Sequence, residues 1–264
     1  MTFVDSHCHL YADQFNDDRN EVLLSAKKLG VDKILLPNID LDSVDIMHNL
    51  MEQHPDTCYG MMGLHPCSVQ ENYREILIQI KELLDKNTDR YIGIGEIGID
   101  LYWDKSYLTQ QKETFLTPCK WALDLNLPIA IHVRDSFTEL FSCLDELNAP
   151  ELKGVFHCFS GNREEAKKAL TYPNFYLGIG GVVTFKNSKL AEVLSHEVPL
   201  EKLLLETDSP YLSPHPHRGK RNSPEYIPLI AEKLASTYNV SIEDIAAIST
   251  QNALDLFPKI NQNV

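Results

Sequence analysis

Short apolar segments and longer amphipathic segments alternate along the chain, and the alternation repeats eight times. The apolar segments predict β-strands at residues 3–7, 33–36, 58–63, 91–95, 129–132, 154–156, 175–179 and 203–206. Runs in which nearly every residue is apolar are typical of strands that are buried on both faces, as in a parallel sheet. The pattern therefore predicts a parallel sheet.

The amphipathic segments predict helices at residues 17–29, 42–53, 74–86, 120–125, 137–147, 164–170, 188–194, 226–236 and 242–256. Thr117 and Pro118 match an N-cap followed by proline at the first helical position, so the helix at 120–125 is predicted to begin at Pro118. Ser241 and Asp244 match the pattern of a capping box for the last helix.

Eight strand–helix units in about 250 residues have the size and order of a TIM-like (β/α)₈ barrel. A doubly wound open sheet has the same alternation and is the alternative. No linker, low-complexity run or internal repeat divides the sequence, so one domain over residues 1–264 is predicted. In a barrel, the carboxyl ends of all strands lie on one face, and active sites are found there.

The segment "YIGIGEIGID" at residues 91–100 contains the pattern G-x-G-x-x-G. A dinucleotide-binding loop would need a helix that begins on the glycine turn. The residues that follow, "LYWDKSY", show no helical period, so a phosphate loop is rejected. We interpret the glycines as positions of close backbone packing around Glu96.

Ionisable side chains follow the apolar runs of five predicted strands, where a buried strand should have none. The residues are His7 and His9 after the first run, Glu96, His132, His157 and Asp208. His7 and His9 are two residues apart, which places both on one side of a strand. In a barrel all six converge on the catalytic face, so the sequence predicts a cluster of four histidines, one glutamate and one aspartate.

The net charge is −14, which repels nucleic acid and anionic membranes at long range. If the substrate is a phosphate, the attraction must come from a metal or a small basic cluster. The six cysteines are scattered, the first residues do not resemble a signal peptide, and no apolar run reaches the roughly 18 residues of a membrane span. Reduced thiols and a cytoplasmic location without membrane association are therefore expected. The oligomeric state is left open, and a monomer is compatible with the sequence.

The sequence resembles the TatD family of metal-dependent hydrolases and deoxyribonucleases over nearly its whole length. The segments that carry the resemblance are "VDSHCHL", "GLHP", "IGEIGIDLYW", "QQKETF", "LPIAIHVRDS", "GVFHCFSG", "LLLETDSPYL" and "PHPHRGKRNSPEY". The resemblance implies a TIM-like barrel and divalent-metal-dependent hydrolysis of DNA, often from the 3′ end. It implies metal ligands at His7, His9, Glu96, His132, His157 and Asp208.

The sequence departs from the family pattern at two positions. Cys67 stands where some members have a second histidine after "GLHP", and Pro118 stands where many have glutamine. Neither position is a ligand in the pattern, so the predicted site is unchanged. Related amidohydrolases bridge their metals with a modified lysine, but here the fourth strand offers Glu96, which favours the TatD interpretation.

The hypothesis for the site is two divalent ions, of Mg, Mn or Zn. His7, His9 and Asp208 would hold one ion and His132 and His157 the other, with Glu96 bridging both. Two ions about 3.5–4 Å apart can activate a shared water and stabilise the attacking and leaving oxygens at phosphorus. Asp208 could take the proton of that water.

Two further residues have open roles in this hypothesis. Glu206, two residues before Asp208, could orient a ligand or make only a structural hydrogen bond. His65 could contact a phosphate or protonate the leaving oxygen, or be part of the loop structure.

The proposed substrate is DNA or an oligonucleotide. Arg134 and Arg218 are predicted to bind its phosphates, and Lys220 and Arg221 add charge beside Arg218. Tyr102 and Trp103 either stack on a base or pack under their loop. The alternatives for function are hydrolysis of a small amide, lactone or phosphoester, and a non-catalytic scaffold.

Overall fold

The computed structural model describes residues 1–261 and contains eight strands that alternate with helices. In chain order the elements are β1 (Phe3–Asp5), α1 (Arg19–Lys28), β2 (Val31–Pro37), α2 (Leu41–Gln53), β3 (Cys58–Met62), α3 (Tyr73–Lys86), β4 (Tyr91–Asp100), α4 (Leu108–Leu125), β5 (Ile129–Arg134), α5 (Phe137–Leu147), β6 (Gly154–Phe156), α6 (Arg163–Ala169), β7 (Phe175–Ile179), α7 (Leu190–Glu197), β8 (Leu203–Leu205), α8 (Ile227–Tyr238) and α9 (Ile242–Leu256).

The strands form one parallel sheet in sequence order that closes on itself. At the closure the backbone N–H of Ser6 donates to the carbonyl of Leu205 at 2.9 Å, and Cys8 pairs with Ser209 in a parallel bridge. The predicted TIM-like barrel is thereby confirmed, and the doubly wound open sheet is excluded.

The apolar residues divide between the interior of the barrel and the layer between strands and helices. Seven strands each contribute one buried residue to the interior, which also includes the C-terminal residues Leu256, Phe257 and Ile260. These C-terminal residues lie at the amino ends of the strands, because Lys259 donates to the carbonyl of Tyr91 at 2.9 Å. One end of the barrel is thus closed by apolar packing, and the carboxyl ends of the strands are left for polar side chains.

Several predicted strand ends differ from the observed ones. β4 extends to Asp100 instead of ending at residue 95, since its second half pairs with β5 as far as Asp100 opposite Arg134. β1 and β8 end earlier than predicted, at Asp5 and Leu205, so His7 and Glu206 lie just beyond them. The strand of residues 91–100 agrees with the rejection of a phosphate loop.

The prediction that a helix begins at Pro118 is wrong. α4 begins ten residues earlier, at Leu108, and Pro118 is a buried residue in its interior. The predicted capping box is confirmed, because the hydroxyl of Ser241 accepts from the N–H of Asp244 and the Asp244 carboxylate accepts from the N–H of Ser241. Among residues 1–261, no helix combines the length and apolar composition of a membrane span.

Candidate metal centre

Glu96 lies buried at the carboxyl end of the barrel, and its two carboxylate oxygens face different histidines. Oε2 lies 3.0 Å from Nε2 of His7 and 3.4 Å from Nε2 of His9. Oε1 lies 2.8 Å from Nδ1 of His132 and 3.1 Å from Nε2 of His157. One carboxylate therefore stands between two pairs of imidazoles.

Asp208 lies on the side of Glu96 that faces His7 and His9. Its Oδ1 is 3.5 Å from Nε2 of His9 and 3.9 Å from Nε2 of His7. The backbone supports this placement, because the N–H of Asp208 donates to the carbonyl of His7 at 2.9 Å. The structure thus brings all six residues of the sequence-predicted cluster together.

His65 lies on the opposite side of Glu96, beside His132. Nε2 of His65 is 3.3 Å from Oε1 of Glu96 and 3.3 Å from Nδ1 of His132. Nδ1 of His65 accepts the backbone N–H of Cys67 at 3.0 Å, so the proton of the neutral ring is on Nε2. That proton points into the cluster.

Two more carboxylates contact the outer nitrogens of the histidines. Oε1 of Glu206 lies 3.2 Å from Nδ1 of His157 and also accepts the backbone N–H of Cys158. Oδ2 of Asp100 lies 2.8 Å from Nε2 of His132. Such contacts fix the tautomer and the orientation of an imidazole.

Asp100 was missed in the sequence because the fourth strand was predicted to end at residue 95. The usable signal is its position four residues after Glu96, since residues at even separations on a strand lie on the same side. Gly98 lies between them with φ of 154°, and a Cβ there would collide with the backbone carbonyl of His132. Glycine at this position permits the close approach of β4 and β5.

The charges in the cluster are strongly coupled. Burial by itself raises the pKa of a carboxyl, but His65, His157 and His7 outweigh it and hold the pKa of Glu96 well below its usual range. Burial also opposes protonation of His157, yet Glu96 and Glu206 raise the pKa of this ring well above its usual value. An ionised carboxylate surrounded by imidazole nitrogens is an electrostatic arrangement that can bind a cation.

The donor atoms fit divalent metal ions. In the described part of the chain, residues 1–261, three groups have ligand atoms within 4.8 Å of one another, namely His7, His9 and Glu96; His65, Glu96 and His132; and His7, His157 and Glu206. Two buried atoms, Nδ1 of His7 and Oε2 of Glu206, find no hydrogen-bond partner among residues 1–261. Imidazole nitrogen with carboxylate oxygen is a donor set for Zn²⁺ or Mn²⁺, and oxygen ligands also suit Mg²⁺.

The two predicted phosphate-binding arginines lie outside this cluster. The guanidinium carbon of Arg134, at the end of β5, lies 3.8 Å from the ring centroid of Tyr102. That of Arg218, in the segment after β8, lies 3.6 Å from the ring centroid of Phe185. Arg221 is committed elsewhere, because it makes a bidentate ion pair with Asp18 at 2.8 and 2.6 Å.

Comparison with known proteins gives one consistent result. The sequence model of the family described as TatD related DNase matches residues 4–258. The uncharacterized metal-dependent hydrolase YabD of Bacillus subtilis (strain 168) is 40% identical over 253 residues, covering 96% of this chain and 98% of the relative. YcfH of Escherichia coli (strain K12), also described as an uncharacterized metal-dependent hydrolase, is 33% identical, with 97% of this chain and 96% of the relative covered.

A solved structure shows the same fold around these residues. The crystal structure of YJJV, described as a TatD homolog from Escherichia coli K12, superposes with a TM-score of 0.90 at 29% identity. The superposition covers 97% of this chain and 98% of the other. The likeness extends over the whole barrel rather than over a single motif.

Proposed function

The chain belongs to the TatD related DNase family and is a metal-dependent hydrolase, and from that premise we propose that it is a deoxyribonuclease that cleaves phosphodiester bonds from the 3′ end of DNA. The observation that carries the proposal is the division of Glu96, with Oε2 toward His7 and His9 and Oε1 toward His132 and His157. Two cation sites that share one carboxylate suit in-line displacement at phosphorus.

In this proposal His7, His9 and Asp208 would hold one divalent ion, His132 and His157 would hold the second, and Glu96 would be a ligand to both. The ions, when bound, would lower the pKa of a water molecule and neutralise charge on the phosphodiester. The imidazole-rich donor set favours Zn²⁺ or Mn²⁺, because Mg²⁺ prefers oxygen ligands.

Acceptance of the water proton and stabilisation of the leaving oxygen are assigned to two partly exposed residues on opposite sides of Glu96. The side chain of Asp208 is 13% exposed and that of Glu96 is 1% exposed, so Asp208 is the carboxylate that solvent reaches, and it accepts the proton of the attacking water. The side chain of His65 is 16% exposed, and the Nε2–H of its neutral ring is placed to donate a hydrogen bond to the phosphate or to the leaving oxygen. Glu206 orients the ring of His157 through the contact of its Oε1 with Nδ1.

The substrate phosphates are assigned to Arg134 and Arg218. Both are exposed; Arg134 is the last residue of β5, and Arg218 lies in the segment that follows β8. In a chain with a net charge of −14, local positive charge is needed to attract a polyanion. We further place the protein in a reducing compartment such as the cytoplasm, which agrees with six free cysteines.

The test is cleavage of single-stranded oligonucleotides that carry a blocking group at the 3′ end or at the 5′ end. The metal-loaded protein should cleave the 5′-blocked strand and leave the 3′-blocked strand intact. Glu96→Gln should lose nearly all activity, because the amide removes the charge shared by the two ions. Hydrolysis of an amide or lactone substrate without cleavage of either oligonucleotide would show that the nuclease assignment is wrong.

A further inference from the structure

Two large aromatic side chains lie exposed just after β4. Tyr102 is 53% exposed and Trp103 is 71% exposed, and their ring centroids are 4.9 Å apart with the planes at 89°. The interpretation that these rings pack under their loop is therefore wrong. Aromatic side chains contribute to stability mainly when they are buried, so this pair adds little to the core.

Arg134 completes the cluster that these rings form. Its guanidinium carbon lies 3.8 Å from the centroid of Tyr102 and 5.5 Å from that of Trp103. The cluster of Tyr102, Trp103 and Arg134 thus combines two exposed aromatic rings with a guanidinium that lies over the ring of Tyr102. Flat aromatic rings and a guanidinium plane are the groups on which nucleobases stack.

A single carboxylate ties this cluster to the candidate metal centre. Oδ1 of Asp100 accepts the backbone N–H of Tyr102 at 2.9 Å and that of Trp103 at 3.3 Å. Oδ2 of the same residue contacts Nε2 of His132 at 2.8 Å. The position of the aromatic pair is therefore set by the residue that also orients His132.

A cavity of about 600 Å³ adjoins the cluster. Its walls include Tyr102, Arg134, the start of α5 and Gly161. This volume is that of a small-molecule site. Asp135, Glu139 and Glu165 also line it, and their carboxylate oxygens can accept hydrogen bonds from N–H or O–H groups.

We propose that Tyr102, Trp103 and Arg134 form a stacking subsite for one nucleobase at the 3′ end of the substrate. This inference rests on the proposed function. It narrows the substrate to DNA whose 3′-terminal base is unpaired and free to stack. The subsite places the base beside the metal centre, and the phosphodiester then faces Glu96. Since stacking uses the π face that all bases share, the subsite tolerates any base.

The first test is a binding measurement that needs no hydrolysis. The protein has two tryptophans, so Trp121→Phe leaves Trp103 as the only one. The fluorescence of this metal-loaded variant is titrated with dAMP and with deoxyribose 5-phosphate, which differ only in the base. Saturable quenching by dAMP alone is expected, whereas equal responses to both compounds, or no response to either, would overturn the subsite.

The second test compares cleavage of an oligonucleotide with a normal 3′-terminal nucleotide and one whose terminal nucleotide is abasic. The wild type should prefer the normal end by about tenfold in kcat/KM. Trp103→Ala should remove the preference through KM while kcat and metal content are kept. Ile78→Ala, which truncates a side chain that is 61% exposed on α3, is the matched control and should keep it.

The two tests separate this inference from the proposed function. If the wild type cleaves both oligonucleotides equally, the nuclease assignment stands and the subsite is wrong. If it cleaves neither, the nuclease assignment fails, and the dAMP titration still decides whether a base binds at Trp103.

Discussion

Asp100 and His132 lie 2.8 Å apart, from Oδ2 of the carboxylate to Nε2 of the ring. On its other side the ring faces Glu96, with Nδ1 lying 2.8 Å from Oε1. The imidazole is held between two carboxylates. Because the carboxylate of Asp100 accepts a hydrogen bond from Nε2–H, the lone pair of Nδ1 is directed into the metal centre.

Replacing Asp100 by asparagine should therefore weaken metal binding. If the asparagine oxygen still accepts the two backbone N–H groups of the loop, the NH₂ group of its amide would face the Nε2–H of His132. Two hydrogen-bond donors would then point at each other. We expect the affinity for the second divalent ion to fall about 10- to 100-fold, measured by calorimetric titration. Asp104→Asn changes an exposed carboxylate of the same loop that contacts Ser106 and should leave the affinity unchanged. Equal affinities in both variants would refute the orienting role of Asp100.

Gly178 in β7 and Gly180, which lies just after β7, offer a test of the role of Glu206. A Cβ at Gly178 would overlap the carboxylate of Glu206, whereas at Gly180 the nearest atom lies 3.6 Å away. Gly178→Ala should displace Glu206 from His157, weaken metal binding about tenfold and destabilise the fold by about 1–3 kcal/mol through overpacking. Gly180→Ala is the matched control. Thermal unfolding with and without metal measures both effects, and identical behaviour of the two variants would contradict the role of Glu206.

The sequence predicts the barrel and the cluster for the same physical reason. Buried parallel strands exclude charged side chains, so an ionisable residue at the end of an apolar run can be recognised from the sequence as a candidate site residue. His132 and Glu96 were found in this way. Asp100 cannot be found in this way, because β4 continues past Gly98, and the conformation of Gly98 depends on its contact with β5.

The helix at residues 108–125 shows where local patterns fail. Thr117 and Pro118 have the sequence of a helix start, but the burial of Phe115, Cys119 and Ala122 on one face keeps the helix continuous. Proline costs the hydrogen bond to the carbonyl of Thr114, and tertiary packing offsets that cost. The contacts of Arg134 with Tyr102 and of Arg218 with Phe185 also cannot be predicted from local sequence patterns, since they join distant segments of the chain.

Arg218 should contribute to substrate binding and not to metal binding. Arg218→Ala removes an exposed positive charge, so KM for a short single strand should rise severalfold with unchanged metal content. Arg221→Ala, in the same segment, removes a cation already paired with Asp18 and should leave KM unchanged. Steady-state kinetics at low salt provides the measurement. An unchanged KM in the Arg218 variant would end its assignment to phosphate.

The six cysteines should all titrate as free thiols. Burial raises the pKa of Cys58 to about 12, so this thiol should react slowly with a thiol reagent in the folded protein, whereas Cys67 is exposed and should react first. After unfolding without reductant, six thiols per chain should react. A reproducible count of four in freshly isolated protein would indicate a disulfide and contradict the reducing compartment.

Anomalous diffraction from crystals of the protein loaded with Mn²⁺ tests directly whether Glu96 serves two cations. Two peaks are expected about 3.5–4 Å apart, one beside His7, His9 and Asp208 and the other beside His132 and His157, with Glu96 between them. A single peak, or peaks that Glu96 does not contact, would contradict a centre in which this carboxylate serves two cations.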